Sequence, residues 1–188
     1  MKRSSLLFVT VLAGLTAVVS AEEKALAPEK APAAQTQEAG KNFLSNPSFS
    51  ELNDKGQLKS WSLKNAEAVK KDGKTVLVIH KSGQASQLIW NWKGPLGQSK
   101  EPRKIRVEIR ASGNAKLTAS AALYTDDWTG NKLKRKFHGS ERIGLVQLKP
   151  EAETITFRYT IKPDQWMGLF IYSFGGETEI ESAAVFKE

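Results

Sequence analysis

The sequence predicts an all-β domain with the architecture of an antiparallel β-sandwich or barrel. Short runs in which apolar and polar residues alternate recur from residue 42 to the C-terminus, at a spacing of roughly 8–12 residues. Turn-forming residues separate these runs, and no segment shows the 3.6-residue period of an amphipathic helix. About ten strands are therefore expected.

Two runs near the middle of the chain are the most regular. Residues 104–111 alternate charged and apolar side chains without interruption, and residues 116–124 alternate in a similar way. A period of two places the apolar side chains on one face, so each run predicts a half-buried strand. Because Ser112, Gly113 and Asn114 lie between them, the two strands are predicted to form an antiparallel hairpin.

The other strands follow from the same pattern. Asp72 and Gly73 stand between two apolar runs and predict a tight hairpin turn. Residues 125–141 are polar and basic instead, and they are predicted to form the longest loop of the domain. The remaining predicted strands are residues 58–63, 66–71, 75–80, 86–92, 143–148, 153–161, 166–174 and 178–186.

The first 41 residues are predicted to lie outside this domain. Residues 1–21 have a basic start, an apolar stretch and small residues before Glu22, which together predict a secretory signal peptide. Residues 22–41 are rich in Ala, Pro, Glu, Lys and Gln, and they predict a disordered linker. The domain itself is assigned to residues 42–188. The protein is expected to be secreted or periplasmic, with no membrane span after signal cleavage.

The predicted domain is basic and contains no cysteine. It has 23 Lys and Arg residues against 16 Asp and Glu residues, which favours anionic partners. A domain of this size can bury a sufficient core without disulfide bonds, so the lack of cysteine excludes little.

No catalytic motif is present in the sequence. His80 and His138 are the two histidines, and they lack metal-ligand spacing. There is no nucleophile elbow, zinc-protease motif or phosphate loop, and no signature of nucleic-acid binding. The prediction is a protein that is not an enzyme and does not bind nucleic acid. A small glycan hydrolase with a carboxylate pair is a weaker alternative.

Both ends of the domain carry motifs of a known family. Residues 42–49 read Asn-Phe-Leu-Ser-Asn-Pro-Ser-Phe and are followed by Trp61 after a turn, and a late turn precedes Trp166. The last strand is residues 178–185, Thr-Glu-Ile-Glu-Ser-Ala-Ala-Val. In these features the domain resembles the jelly-roll carbohydrate-binding modules of the cellulose- and xylan-binding type, within the galactose-binding-domain-like fold.

This resemblance implies a jelly-roll β-sandwich and a non-catalytic function. The expected partner is a glycan or a cell-surface polysaccharide. The same fold also suits a protein-interaction or envelope structural protein, because a fold does not determine a function.

Members of that family often hold a structural calcium near the two ends of the domain. Glu51 and Glu181 are the candidate metal ligands in this chain, because calcium prefers carboxylate and other hard oxygen ligands. The family's Glu after the opening Phe is replaced here by Ser50, and Glu181 and Ser182 stand where the family prefers Asp. The sequence thus neither requires nor excludes a structural calcium, and no other cofactor is expected.

Exposed aromatic rings are the side chains that would stack on the apolar face of a sugar ring. Trp61 and Trp166 lie among apolar neighbours at family-like positions, and they are predicted to be core residues instead. Trp128 is the best single candidate for a stacking residue because its segment, residues 125–130, is polar. Asp126 beside it is a candidate hydrogen-bond partner for sugar hydroxyls. The alternative is that Trp128 folds back onto the end of the sandwich.

Trp90 and Trp92 are further candidates. They are two residues apart and therefore share one face of a strand. Two arrangements remain open at this point. Either Leu88 and both tryptophans face the core, with Gln87 and Asn91 facing outward, or the tryptophans face outward as a platform. Gln87 and Asn91 are the candidate polar contacts of a ligand at this strand.

A basic run follows Trp128. It predicts either a rim that binds anionic glycans, with Lys134 and Arg135 as contact residues, or an ordinary solvated charged surface. The basic residues concerned are Lys132, Lys134, Arg135, Lys136, His138 and Arg142, together with Arg106 and Arg110.

Overall fold

The chain forms an antiparallel β-sandwich of jelly-roll type, which confirms the predicted fold class. The computed structural model describes residues 40–89, 99–129 and 132–188, apart from the side chain of Trp128. The predicted signal peptide and residues 22–39 of the predicted linker lie outside the described residues. Within those ranges, no helix has the length and apolarity needed to cross a bilayer. The described strands are β1 (Ser62–Lys71), β2 (Lys74–Ile89), β3 (Arg103–Gly113), β4 (Lys116–Thr129), β5 (Lys132–Gln147), β6 (Glu153–Ile161), β7 (Trp166–Phe174) and β8 (Thr178–Lys187).

The strands form one sheet that curls into two layers. Their order is β5-β4-β7-β2-β8-β3-β6, and β1 pairs with β2. The long strand β2 belongs to both layers, because residues 77–79 pair with β8 and residues 84–89 pair with β7. We call β5, β4, β7 and the second half of β2 the first layer. The second layer consists of the first half of β2 with β8, β3 and β6.

The bend in β2 has a local cause. Ser82 has a positive φ of 63°, and a Cβ at Gly83 would collide with the carbonyl oxygen of Asn65 on β1. Asn65 itself has a φ of 49°, and the β1–β2 register shifts beside it. Both strands therefore kink at the same level, which turns the ribbon from one layer into the other.

The Asp72-Gly73 turn is confirmed. Both residues have positive φ, 51° and 76°, as a two-residue type I′ hairpin connection requires. This turn joins β1 to β2.

The N-terminal segment fills the gap that opens where β2 leaves β8. The backbone N–H of Phe43 donates to the Val185 carbonyl (2.9 Å), and the N–H of Ala183 donates to the Pro47 carbonyl (2.9 Å). On the other side, Gln87 of β2 exchanges hydrogen bonds with the backbone of Ser45. The segment thereby takes the place of β2 beside β8, and it supplies hydrogen-bond partners for β8 backbone groups that β2 does not reach.

The alternating pattern of β3 and β4 is confirmed, but their predicted hairpin is wrong. Ile105 and Ile109 of β3, like Leu117 and Ala119 of β4, are fully buried between the layers. However, β3 pairs with β6 and β8, whereas β4 pairs with β5 and β7. The connection around Gly113 crosses from one layer to the other. Alternation determines which face of a strand is buried, but it does not determine which strand lies beside it.

Two other predictions require correction. The strand predicted at residues 86–92 does not begin at Ser86, because β2 runs without a break from Lys74 to Ile89, and residues 90–92 lie outside the described residues. Residues 125–141 are not a loop, because β4 extends to Thr129 and β5 begins at Lys132. The end of this ribbon lies beyond the core, so polar residues occupy both of its faces and the apolar alternation that marks a buried strand is missing. Eight strands are found in the described residues, against about ten predicted.

Candidate functional site

Exposed apolar side chains gather on the outer face of the first layer. Among the described residues, five large apolar side chains are exposed, and four of them lie on this face: Leu88, Phe137, Leu145 and Phe174. Pairing with β7 brings them to one surface. Leu88 pairs directly with Gly168 of β7, and Leu145 pairs with Thr118 of β4, which in turn pairs with Tyr172 of β7. We call this surface the aromatic face. Its apolar residues are Leu88, Tyr124, Phe137, Leu145, Trp166, Phe170, Tyr172 and Phe174.

A row of three aromatic rings runs along β7. Leu169 and Ile171 point into the core, so Phe170, Tyr172 and Phe174 point outward. The ring centroids of Phe170 and Tyr172 are 6.2 Å apart, and those of Tyr172 and Phe174 are 6.0 Å apart, with interplanar angles of 21° and 26°. The row is therefore about 12 Å long, in line with the two-residue repeat of a strand.

Small polar side chains flank this row on both sides. Ser86 and Gln84 of β2 are in register with Phe170 and Tyr172. On the β4 side, Ser120 and Thr118 take the equivalent places. Ser86, Thr118 and Ser120 are buried beside the rings, whereas Gln84 is partly exposed and can hydrogen-bond a ligand that rests on the aromatic surface.

Gly168 is the one residue on the outer face of β7 that has no side chain. This residue pairs with Ala122 on one side and Leu88 on the other. A Cβ at Gly168 would lie 2.8 Å from Leu88 Cδ2 and 3.3 Å from Phe170 Cε2. The missing side chain therefore lets Leu88 and Phe170 approach each other over the strand.

The far end of the aromatic face is organised around Trp166. Its ring stacks on Tyr124, with centroids 4.5 Å apart and an interplanar angle of 20°. The guanidinium carbon of Arg135 lies 4.5 Å from the centroid of the same ring. Arg135 also forms an ion pair with Asp126, with its Nε 3.0 Å from Oδ1. The prediction that Trp166 is buried is confirmed, but it lies on the outer face of β7 rather than in the core between the layers. Trp61 does lie in that core, as predicted.

Tyr172 remains a neutral phenol at ordinary pH. Partial burial raises its pKa, and the nearby Tyr124 raises it further. A neutral hydroxyl can both donate and accept a hydrogen bond, which is the capability that recognition of sugar hydroxyls requires.

Two of the predicted ligand contacts have structural roles instead. Gln87 is buried, and its side chain accepts from the Ser45 N–H (2.7 Å) and donates to the Ser45 carbonyl (2.9 Å). The arrangement with Leu88 facing the core and Gln87 facing outward is therefore wrong, since their roles are reversed. Asp126 is likewise not an exposed partner for hydroxyls, because its carboxylate is only 3% exposed and binds Arg135.

The remaining predicted contacts divide into three groups. Arg135 lies on the aromatic face, through its contact with Trp166. Lys134 is exposed but alternates with Arg135, and it therefore points to the opposite side of the ribbon. Trp90, Asn91, Trp92 and the side chain of Trp128 lie outside the described residues. The backbone of Trp128 pairs with Leu133.

Each of the two candidate calcium ligands forms an ion pair with a basic side chain. Glu51 forms an ion pair with Lys59 (3.2 Å), and Glu181 forms one with Arg110 (2.8 Å). In the part of the chain that the structure describes, no three His, Cys, Asp or Glu side chains are grouped so that they could hold a metal ion. The described carboxylates at the two ends of the domain therefore give no support for a structural calcium.

Sequence reasoning missed the aromatic row because β7 is apolar on both faces. Residues 166–174 have the pattern of a central strand covered on both sides, and that pattern does not show which face is open. The available signal was the composition of one face, where Phe170, Tyr172 and Phe174 alternate with smaller core residues.

Comparisons with known proteins place this geometry in a structural group. No family model matches the chain, and no curated protein matches it. Among solved structures, the C-terminal family 22 carbohydrate-binding module of Clostridium thermocellum Xyn10B superposes with a TM-score of 0.50 at 14% identity. That match covers 80% of this chain and 96% of the module, whose cleft contains conserved residues studied for their role in ligand binding.

The fold is that of a jelly-roll carbohydrate-binding module.

Other modules give similar scores. The family 22 xylan-binding domain matches with a TM-score of 0.49 at 14% identity, and the family 22 xylan-binding domain of Paenibacillus barcinonensis Xyn10C with 0.48 at 12%. They cover 80% and 79% of this chain, and this chain covers 96% of each of them. At such low identity the likeness concerns the fold and not the ligand.

Proposed function

We propose that this protein is an exported, non-catalytic carbohydrate-binding protein that holds a polysaccharide against its aromatic face. The observation that carries the proposal is the outward row of Phe170, Tyr172 and Phe174, flanked by hydroxyl and amide side chains. The fold of a carbohydrate-binding module supports it. Export is proposed from the signal-like residues 1–21, and the final location would be periplasmic or extracellular.

The physical basis is the shape of a sugar ring, which has an apolar face of C–H groups and a rim of hydroxyls. Aromatic rings bury the apolar face, while the partly exposed Gln84, in register with Tyr172, is placed to bond the rim. The row is about 12 Å long, which exceeds one sugar ring and suits consecutive units of a chain. An exposed apolar patch of this kind on a domain surface is typical of a binding site.

Two arginines favour an anionic glycan. Arg142 of β5 is in register with Ser120, next to the row, and Arg135 lies at the Trp166 end of the same face. Guanidinium groups bind carboxylate and sulfate oxygens with two parallel hydrogen bonds. We therefore propose uronic-acid or sulfated polysaccharides as the preferred ligand class.

One observation favours a second candidate, a jelly-roll protein that binds another protein of the cell envelope. Leu88 and Leu145 are about half exposed, and aliphatic side chains suit a protein interface better than a sugar ring. The two candidates differ in the ligand that the aromatic face binds, and the same variants test both.

A glycan-array screen of the purified protein at low and high salt tests the proposal. We expect reproducible binding to one class of glycan, with affinity reduced at high salt because the arginine contribution is screened. Phe174→Ala and Tyr172→Ala should each remove most of the binding that persists at high salt. Phe186→Ala is the matched control, since Phe186 lies on the outer face of the second layer beneath Arg106. A blank array, together with pull-down of an envelope protein that Phe174→Ala abolishes, would instead establish the second candidate.

A further inference from the structure

The β4–β5 ribbon extends beyond the rest of the first layer. The last residue of β4 that pairs with β7 is Tyr124, opposite Trp166. From there, residues 125–129 of β4 pair with residues 132–136 of β5 and with no other described strand. A two-stranded ribbon is marginally stable by itself, so its side chains must anchor it to the domain.

The two faces of this ribbon have different chemistry. Asp126 pairs with Arg135 on the face that continues the aromatic face. On the other face, Thr125, Asp127 and Thr129 of β4 stand opposite three lysines of β5. We call this the lysine face, and its cations are Lys132, Lys134 and Lys136.

Among the described side chains, the contacts that anchor the ribbon lie on the first of these faces. Asp126 is buried and binds the guanidinium of Arg135, which also covers the ring of Trp166. Because the anchoring contacts all lie on one side, the lysine face is turned away from them. All three lysines are exposed, and among the described residues none forms an ion pair, although Asp127 stands in register with Lys134.

The spacing of the lysines suits a linear partner. Residues two apart on a strand are separated by roughly 7 Å, so the Cα atoms of the three lysines span about 13 Å along the strand. A small anion would engage one of them, whereas a polymer with repeated anionic groups would engage all three. Like charges in a row repel one another, and a polyanion removes that repulsion.

The composition of the lysine face distinguishes between polyanions. Its described side chains are Thr, Asp and Lys, together with His138, whose Nε2 lies 2.8 Å from Thr125 Oγ1. None of them is an apolar residue that could insert into a bilayer, and none is a Phe, Tyr or Trp that could stack on a nucleobase. A hydrated, charged polysaccharide is the partner that this chemistry fits.

We propose that the lysine face is a second binding surface, which takes a linear anionic polysaccharide independently of the aromatic face. The proposal does not rest on glycan binding at the aromatic face, because the two surfaces lie on opposite sides of the ribbon. With both surfaces occupied, the protein would bridge two polysaccharide chains.

The test compares two triple variants with equal loss of charge. The first carries Lys132→Gln, Lys134→Gln and Lys136→Gln, and the control carries Lys64→Gln, Lys70→Gln and Lys74→Gln, three exposed lysines of the β1–β2 ribbon. Affinity of the full chain for heparin and for polygalacturonate is measured across a range of salt concentrations. We expect the first variant to bind at least tenfold more weakly and to lose about 2 units of the slope of log K against log salt, the value for three released counterions. The control should stay within twofold of the wild type.

Further measurements separate the alternatives. A charge-retaining variant with arginine at positions 132, 134 and 136 should keep the binding, and thermal melting checks that all variants are folded. In a Phe174→Ala background, where the aromatic face no longer contributes, the first triple variant should show the same loss of polyanion affinity, so a failure of the aromatic face and a failure of the lysine face are told apart. Equal losses in the two triple variants would overturn the proposal in favour of net charge. Binding to anionic vesicles or single-stranded DNA, with none to either polysaccharide, would overturn it in favour of those partners.

Discussion

Replacement of Asp126 by asparagine should loosen the β4–β5 ribbon without unfolding the domain. The substitution keeps the shape of the side chain and removes the charge that holds Arg135, whose Nε and Nη2 lie 3.0 and 3.4 Å from the two carboxylate oxygens. Arg135 would then lose the partner that holds it over Trp166. The ribbon residues beyond Tyr124 have no other strand beside them among the described residues, so the loss acts on them directly.

The size of the effect follows from burial. A hydrogen bond to a charged group contributes about 1.5–3 kcal/mol. The Asp126 carboxylate is 3% exposed, but the Arg135 side chain is 34% exposed and can regain water, which favours the lower end of that range. We therefore expect the free energy of ribbon opening to fall by about 1.5 kcal/mol, close to a tenfold increase in the open fraction.

Amide hydrogen exchange measures this opening residue by residue. In Asp126→Asn, amides of residues 125–129 and 132–136 should exchange about tenfold faster, while those of β3 and β8 keep their protection. Asp127→Asn is the matched control, because Asp127 is exposed on the opposite face of the same ribbon. Unchanged protection in Asp126→Asn would refute the anchoring role. An equal loss of protection across β3 and β8 would show that the ion pair stabilises the whole domain instead.

Two further predictions concern pH. Glu141 of β5 accepts hydrogen bonds from Lys162 (2.6 Å) and from the Tyr159 hydroxyl of β6 (2.8 Å), and these hold the pKa of its carboxyl below its usual value. The stabilisation that Glu141 provides is therefore present above pH 4.5 and is lost as the pH falls through the lowered pKa. At pH 6 the wild type should melt at a higher temperature than Glu141→Gln, and the two melting temperatures should converge in acid. His80 shows the opposite sign, since its hydrogen bond with Glu177 raises the imidazole pKa. Below about pH 6.5 the wild type should melt at a higher temperature than His80→Gln, and this difference should vanish as the pH rises through the raised pKa of His80. A difference in melting temperature that stays constant at all pH values would contradict the stabilising role of the protonated imidazole.

The comparison of sequence and structure is most instructive at β7. The pattern of residues 166–174 correctly predicts a strand, and Trp166 is buried as expected. The same pattern conceals the candidate site, because a strand that is apolar on both sides does not reveal which side another layer covers. Phe170, Tyr172 and Phe174 become site residues only once Leu169 and Ile171 are seen to face the core.

The basic run shows a different limit. Its sequence predicts a single loop that is either a cationic rim or a solvated charged surface, whereas the structure divides the basic residues between two faces of a ribbon. Arg135 joins Asp126 and Trp166, while Lys134 points away from both. The reason is the two-residue period of a strand, which sends neighbouring cations to opposite sides.

The sequence by itself determined the all-β class, the buried faces of β3 and β4, and the turn at Asp72 and Gly73. These features depend on local physics, namely the alternation of side chains along a strand and the backbone angles that a tight turn requires. The tertiary structure alone decided that β3 pairs with β6 and β8 instead of β4, and that one side of β7 stays open. Strands pair through backbone hydrogen bonds that are the same for nearly every residue, so the choice of partner depends on how the whole chain packs.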